Sequence, residues 1–432
     1  MEQMLSVDGR LHTTKSSEAS KMDYDVIVVG AGASGLIAAI AAAEKGGSVL
    51  IIEQKEKAGK KILATGNGKC NFTNMHQTPD CYRSDDSTFA MKVLSNFDNK
   101  RTLEFFERLG IVPMNRNGYI YPNSEQAVSI VSVLLMKCEA LNIDIVYMEK
   151  VIETSEPDFT VTTVKADKGK AVYYGKKLIL ATGGSATPKL GSDGSGYLLA
   201  KDFGHKIVKP LPALVSLKSP DKFCKTVSGV RTRAKASIYV DKELLIEEEG
   251  EIIFTDYGIS GIPIMQISRY ASRALDEGKS VYLILDLLLN YTLDELIGLL
   301  INRCNNNPDK TTEQMLVGML NQKLNYIIIK EAKLNHESPC HILSKSDIIK
   351  LAKVIKSLKV RINETNTFDF AQVTSGGVKT SEIDSNTLES KLKKGLYLTG
   401  ELIDVDGTCG GYNLQWAWST GYIAGKSTRI SG

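Results

Sequence analysis

No CxxC pair occurs among the seven cysteines scattered through this chain of 432 residues. That absence argues against a disulfide framework and fits a reduced, cytoplasmic protein. An excess of charge is missing too: 53 Lys and Arg against 50 Asp and Glu leave a formal net charge of +3. Nothing global therefore suggests a nucleic-acid partner. The longest apolar run near the N-terminus is cut by Gly30, Gly32, Ser34 and Gly35, so it is too short for a bilayer span. Residues 1–21 are polar and lack an apolar signal-peptide core, and they read as a disordered extension or an upstream start. Neither a solenoid-type repeat nor a low-complexity tract is found. With 43% hydrophobic and 24% charged residues, the chain has the composition of a globular protein and the length for two or three domains with substantial cores.

What the chain does have is concentrated at its two ends. Residues 24–29 form a short apolar run, followed by Gly30-Ala31-Gly32-Ala33-Ser34-Gly35 and an alanine-rich helical stretch closed by Gly46 and Gly47. A second apolar run, residues 48–52, ends on Glu53. This is a complete βαβ dinucleotide-binding pattern. Gly30 serves the tight turn, Gly32 lets the backbone approach a pyrophosphate, and Gly35 lets the helix pack on the sheet. The helix N-terminus offers unpaired N–H groups and a partial positive charge to the diphosphate. Glu53, 18 residues past Gly35, is placed to accept hydrogen bonds from the adenosine ribose, with Gln54 beside it. Only one such fingerprint is complete.

The next stretch, residues 54–74, is dense in Gly, Lys, Asn and Thr and suits a loop folding back over the cofactor. Lys60 and Lys61 could neutralise diphosphate charge there, while Gly66 and Gly68 permit close approach and Asn67 and Asn71 supply polar contacts. A solvated basic loop is the bland alternative. Residues 89–109 carry apolar side chains at helical spacing, and 127–141 form another amphipathic helix. Residues 143–147 lead as a strand to Val151, where such folds contact the adenine. Residues 159–164 and 171–174 read as a β-hairpin laid over the sheet. Residues 177–181 run as a strand into Thr182-Gly183-Gly184, a second pass of the chain beside a cofactor or a simple strand end. His205, after the next helix, reads as a surface or capping histidine.

From about Lys206 the pattern changes to short β runs punctuated by turns, an inserted β-barrel or sandwich over residues 206–290. A glycine-rich turn near Gly258 and Gly261 interrupts it and leads into a helix over 264–276. Residues 291–359 are mostly helical, and Lys350, Lys353, Lys356 and Lys359 recur every third residue. A solvated face explains that lysine row better than a nucleic acid or membrane does. The last segment returns to glycine-rich signatures: Thr374-Ser375-Gly376-Gly377, then Thr399-Gly400-Glu401 with Asp404 beyond it, then Gly410-Gly411-Tyr412-Asn413-Leu414-Gln415 opening an apolar helix. That arrangement fits a flavin. Thr399, Gly400 and Glu401 can meet the ribityl hydroxyls, and the helix starting near Asn413 can aim its positive end at the flavin N1–C2=O edge. The expected fold is α/β: a discontinuous Rossmann-like FAD-binding domain of glutathione-reductase type, residues 22–205 plus 360–432, carrying the β and helical inserts.

Residues 59–74, 373–378 and 400–415 resemble the aminoacetone-oxidase-like bacterial FAD-binding family, which includes a reductase of bile-acid dehydroxylation pathways. The resemblance covers nearly the whole chain from about Asp23. It implies that Gly30, Gly32, Ala33, Ser34 and Gly35 hold the pyrophosphate, Glu53 the ribose, and Val151 the adenine. It also implies that Lys60, Lys61 and residues 66–71 cover the cofactor, and that Glu401, Asp404, Asn413, Leu414 and Gln415 lie near ribityl and flavin. Cys409 and the bulky Trp416 and Trp418 depart from the usual pattern. The expected activity is FAD-dependent oxidation or reduction of a small organic substrate at flavin N5, as an oxidase or as an NAD(P)H-linked reductase with NAD(P)H binding transiently. A flavin-dependent redox sensor or nucleic-acid-associated protein is the alternative. No catalytic acid or base and no metal site stand out. A redox pair of Cys70 and Cys409 is conceivable, with small buried cysteines as the simpler reading.

Overall fold

The computed structural model describes residues 23–155 and 158–428, so the extension expected over residues 1–21 lies outside the described part. β1 (Asp23–Val29) runs into α1 (Ala33–Ala43) and then into β2 (Val49–Glu53), parallel to β1 in the register Val26↔Val49 to Val29↔Ile52. Every residue of β2 is buried, as an unbroken Val-Leu-Ile-Ile run requires when both faces of a parallel strand are covered. A short helix, α2 (Lys60–Ala64), follows. The long strand β3 (Lys170–Leu180) pairs β1 on its other side, again in parallel. These strands belong to one seven-stranded sheet with Asp144–Tyr147 beyond β2, and with Phe159–Lys165 and Glu149–Ser155 beyond β3.

Three local expectations change. The hairpin over residues 159–174 does not lie over the sheet. Its second arm is the first half of β3, and its first arm continues the same sheet. Residues 89–109 are not one helix but two, Phe89–Asn96 and Asn99–Arg108, because Asp98 takes an extended conformation and its side chain accepts the Arg101 N–H, a helix N-cap. His205 is neither on the surface nor a cap. It is 3% exposed, with Nδ1 3.1 Å from Glu382 Oε2 and Nε2 2.8 Å from Ser390 Oγ, and burial pushes its pKa down. Its place just after a helix gives no sign of this, since both partners come from a segment nearly 180 residues away.

A second seven-stranded sheet, antiparallel throughout, begins with Leu217–Lys218 and includes the long hairpin Arg231–Val240 and Glu243–Thr255. It draws in Leu358–Ile362 and Glu364–Thr365 after the helical stretch, and its own apolar core is shared with those helices. The lysine row on Lys345–Lys356 is partly spent internally: Lys350 pairs with Asp347, and Lys356 with Asp286. One helix of this insert, α3 (Ile262–Asp276), packs Ile264, Ile267, Ala271 and Ala274 into that core.

The chain then returns. β4 (Val373–Val378) pairs with Ile207–Ala213, and β5 (Leu396–Leu398) joins the first sheet beside β3. β6 (Val405–Gly407) leads to α4 (Tyr412–Ser427), which lies along α1. The approach is close enough that a Cβ on Gly421 would stand 2.3 Å from the Ser34 carbonyl oxygen, and one on Gly425 2.2 Å from that of Ala38. Only glycine fits at these two positions. Trp416 and Trp418, both essentially unexposed, donate their indole N–H groups to the Gly400 and Phe72 carbonyls and lock α4 to the segments on either side.

Candidate functional site

A cavity of about 760 Å³ opens where the first sheet, the segment after β2, α3 and the start of α4 meet. α1 begins at its wall. The N-cap is Gly32, no side chain caps the helix and no acid occupies its first turn. Gly30, Gly32, Ala33 and Ser34 line this wall. A Cβ on Gly32 would meet no atom within 4 Å, so the space in front of the helix terminus is open. Gly35 stands off the cavity, and a Cβ there would lie 1.9 Å from the Gly30 carbonyl oxygen. Its task is helix–strand packing.

Glu53 lines the cavity yet is 8% exposed. Its Oε2 accepts the Ala31 N–H at 2.7 Å and its Oε1 that of Lys55 at 2.8 Å. Burial pushes its pKa up, and these amides work against that push. Each carboxylate oxygen keeps a lone pair for a hydroxyl. Gln54 Nε2 donates to the Gly191 carbonyl at 2.6 Å, and Val151, Thr182 and Gly183 complete this side.

The segment after β2 does fold over the cavity: Lys60, Lys61, Gly66, Asn67 and Asn71 line it, while Gly68 stands outside. The two lysines are not free, however. Lys60 pairs with Glu56, and Lys61 Nζ reaches across to Glu401 Oε2 at 2.7 Å. Asn67 takes a left-handed φ of 53°, which asparagine tolerates better than most residues. The Asn71 carboxamide oxygen is buried with no partner among the described residues, next to Gly411.

α4 supplies a second uncapped terminus. Gly411 is its N-cap, again with no capping side chain and no acid in the first turn. Gly400, Glu401, Asn413 and Leu414 line the cavity around it. Glu401 Oε1 accepts the Thr374 N–H at 2.7 Å, and Asn413 bonds both backbone groups of Gly407. Two residues expected at the flavin stand behind this wall. Gln415 is fully buried, accepts from Thr73 Oγ1 and donates to Thr102 and Ser419, so it fixes the start of α4. Asp404 accepts the Asp85 N–H, and burial, reinforced by the Asp85 charge, pushes its pKa up to about 6.

Sequence reasoning did not reach the opposite wall: Leu214, Gln372, and Ile262, Met265 and Gln266 on one face of α3. The glycine-rich turn into α3 was the one available signal. Cys409 also lines the cavity, half-buried, and burial pushes its thiol pKa up to about 11; Cys70 is wholly buried and pushed to about 12. Both thiols are free and protonated near neutral pH. Two uncapped helix termini facing one elongated cavity, with a buried carboxylate at one end, suit a ligand carrying a diphosphate, a ribose and an electron-poor ring. The residues present fit FAD.

Residues 24–427 match the family model of the HI0933-like protein Rossmann domain. The chain is 42% identical over 402 residues to a 3-dehydro-bile acid delta(4,6)-reductase of Clostridium scindens, covering 93% of this chain and 98% of that protein. It is 33% identical over 406 residues to a ribosomal RNA dihydrouridine synthase of Haemophilus influenzae, covering 93% and 97%. Among solved structures, a quinol-fumarate reductase matches with a TM-score of 0.50 at 14% identity, over 95% of this chain and 71% of that one, a likeness of fold alone.

Proposed function

The chain belongs to the HI0933-like family of Rossmann-fold, FAD-dependent oxidoreductases, and on that premise we propose that it saturates a carbon–carbon double bond conjugated with a carbonyl. Two relatives of full length support this reading by their names. A 3-oxo compound with double bonds at C4 and C6 and the uracil ring of uridine share that arrangement, although one is carbocyclic and the other a nucleobase. Reduced FAD, when bound, supplies a hydride from N5. NAD(P)H as a transient electron donor belongs to the same proposal.

The observation that carries the reading is a chamber wall of Leu214, Ile262 and Met265 facing the α4 terminus. Leu214 and Met265 make the reacting end apolar and limit water there. Saturation also needs a proton, and Cys409 and Tyr121 both line the cavity with pKa values raised by burial, so each holds one at neutral pH. Glu53 and the α1 terminus hold the far end of the cofactor and do no chemistry. Among the described residues no helix is long and apolar enough to cross a membrane.

The test is anaerobic. The flavin is reduced with NADH, NADPH or dithionite, then mixed with a 3-oxo-4-ene steroid or with uridine-containing RNA. Flavin reoxidation with a product two mass units heavier supports the reading, and the reactive acceptor names the substrate class. Flavin that neither acceptor reoxidises, and that reoxidises only once oxygen is admitted, would overturn it in favour of an oxidase.

A further inference from the structure

α3 is held on two faces by different forces. Ile264, Ile267, Ala271 and Ala274 sink into the apolar core of the insert. Ile262, Met265, Gln266, Arg269 and Arg273 follow at helical spacing along the other side. The first three of these line the cavity, and Ile262, 64% exposed, stands at its mouth. On the same side Asp276 pairs with Lys209, Tyr270 accepts from Arg83, and Met265 packs beside Leu214 and Val373; three residues bond the returning C-terminal segment. Gln266 Oε1 accepts the Cys409 N–H at 2.9 Å, Arg269 Nε donates to Asp406 Oδ1 at 2.7 Å, and Arg273 donates to Ser375 Oγ at 3.0 and 3.2 Å. Asp406 is 2% exposed and faces Arg83, Arg269 and Arg273, with Asp404 beside this cluster. Helix α3 therefore travels with the insert by hydrophobic burial, and is tied to the cofactor-side segments mainly by polar bonds, with Met265 adding an apolar contact there. Interfaces of that polar kind release more readily than apolar cores.

We propose that Arg269 and Arg273 are positioning residues that pin α3 as the wall closing the reacting end of the cavity, so that their release opens that end without unloading the cofactor. The ion pair to Asp406 is the stronger pin, because it is charge-assisted and its acceptor is almost wholly buried. Arg273 meets a neutral hydroxyl and is the weaker one. The inference rests on the FAD reading only for what fills the cavity, since the pin itself is a property of the chain.

The test compares wild-type protein with Arg269→Met, Arg273→Met and the conservative Arg269→Lys, each saturated with FAD. Amide hydrogen exchange across residues 262–276 reads the pin. Acrylamide quenching of flavin fluorescence, by a neutral probe blind to the lost charge, reads access. Arg269→Met should raise exchange in this helix by about tenfold and increase quenching, with FAD affinity changed by less than about threefold. Arg273→Met should do the same to a smaller extent, and Arg269→Lys should restore part of the protection. Unchanged exchange in α3, exchange rising equally throughout the chain, or FAD affinity falling in step would each overturn the proposal. Should the wild type take up no flavin, the FAD reading fails while the exchange measurement still decides the pin. If Arg269→Met does not accumulate as folded protein, Arg273→Met and Arg269→Lys carry the test.

Discussion

Two glycines three residues apart should fail in opposite ways when enlarged. Gly32 has φ −80° and ψ −167°, extended backbone open to any residue, and a Cβ there meets no protein atom within 4 Å. Gly32→Val should therefore leave the fold intact, with unfolding free energy changed by less than about 0.5 kcal/mol, the range of substitutions that disturb no packing. Its side chain would occupy the ground in front of the α1 terminus where a diphosphate must sit. FAD affinity is expected to fall at least about 100-fold, or about 2.8 kcal/mol. At Gly35 the added Cβ would stand 1.9 Å from the Gly30 carbonyl oxygen, a backbone atom that cannot step aside alone. Gly35→Ala should lose folded protein, through overpacking worth about 1–3 kcal/mol or more. The assay is urea unfolding of the flavin-free proteins beside titration with FAD, followed by quenching of its fluorescence. A Gly32→Val protein that binds FAD as the wild type does would refute the placement of the diphosphate, and a Gly35→Ala protein of undiminished stability would refute the close approach of α1 to the Gly30 turn.

Gln415→Leu removes the amide that joins Thr73, Thr102 and Ser419, leaving buried partners unpaired, and should lower unfolding free energy by about 2–4 kcal/mol in urea melts. Thr102→Val in that background should then cost less than it does alone, because the network is already broken. His205 has a folded pKa depressed below 6.5 by burial, so protonation opposes the fold and stability should fall as pH drops below that value. His205→Gln, which cannot charge, should flatten this limb of a stability–pH profile. Asp404 works in the opposite direction: its folded pKa, near 6, lies above the ordinary 3.8, so its carboxylate costs stability increasingly as pH rises through that window. Asp404→Asn should accordingly be more stable than the wild type above pH 6, with the difference gone below 3.8, as thermal melts across pH would show.

The first βαβ unit was legible because its signals are local. The spacing of Gly30, Gly32, Gly35 and Glu53 encodes one βαβ unit, and a strand buried on both faces must be an unbroken apolar run. The start of α4 was legible for a related reason: a glycine pair ahead of an apolar helical run marks a helix start. Illegible features depend on partners distant in the chain. Nothing near Lys61 indicates that it will meet Glu401, 340 residues later, and Gln415 looks like a flavin ligand until Thr73 is seen against it. The α3 wall was hidden most deeply. An amphipathic helix shows its apolar face in the sequence, but its second face reads as ordinary surface until Asp406 and Cys409 are brought to it.

The two glycines that seat α4 on α1 bear on the order of assembly. About 380 residues separate these helices, and the whole insert is synthesised between them. A nascent chain thus displays its first nucleotide-binding turn long before the helix that completes the pocket exists. Until α4 arrives, the alanine face of α1 has nothing to cover it, and Ser34 and Ala38 offer their backbone to solvent or to a wrong partner. A chain interrupted before Gly421 is released with the seat of α4 on α1 unmade.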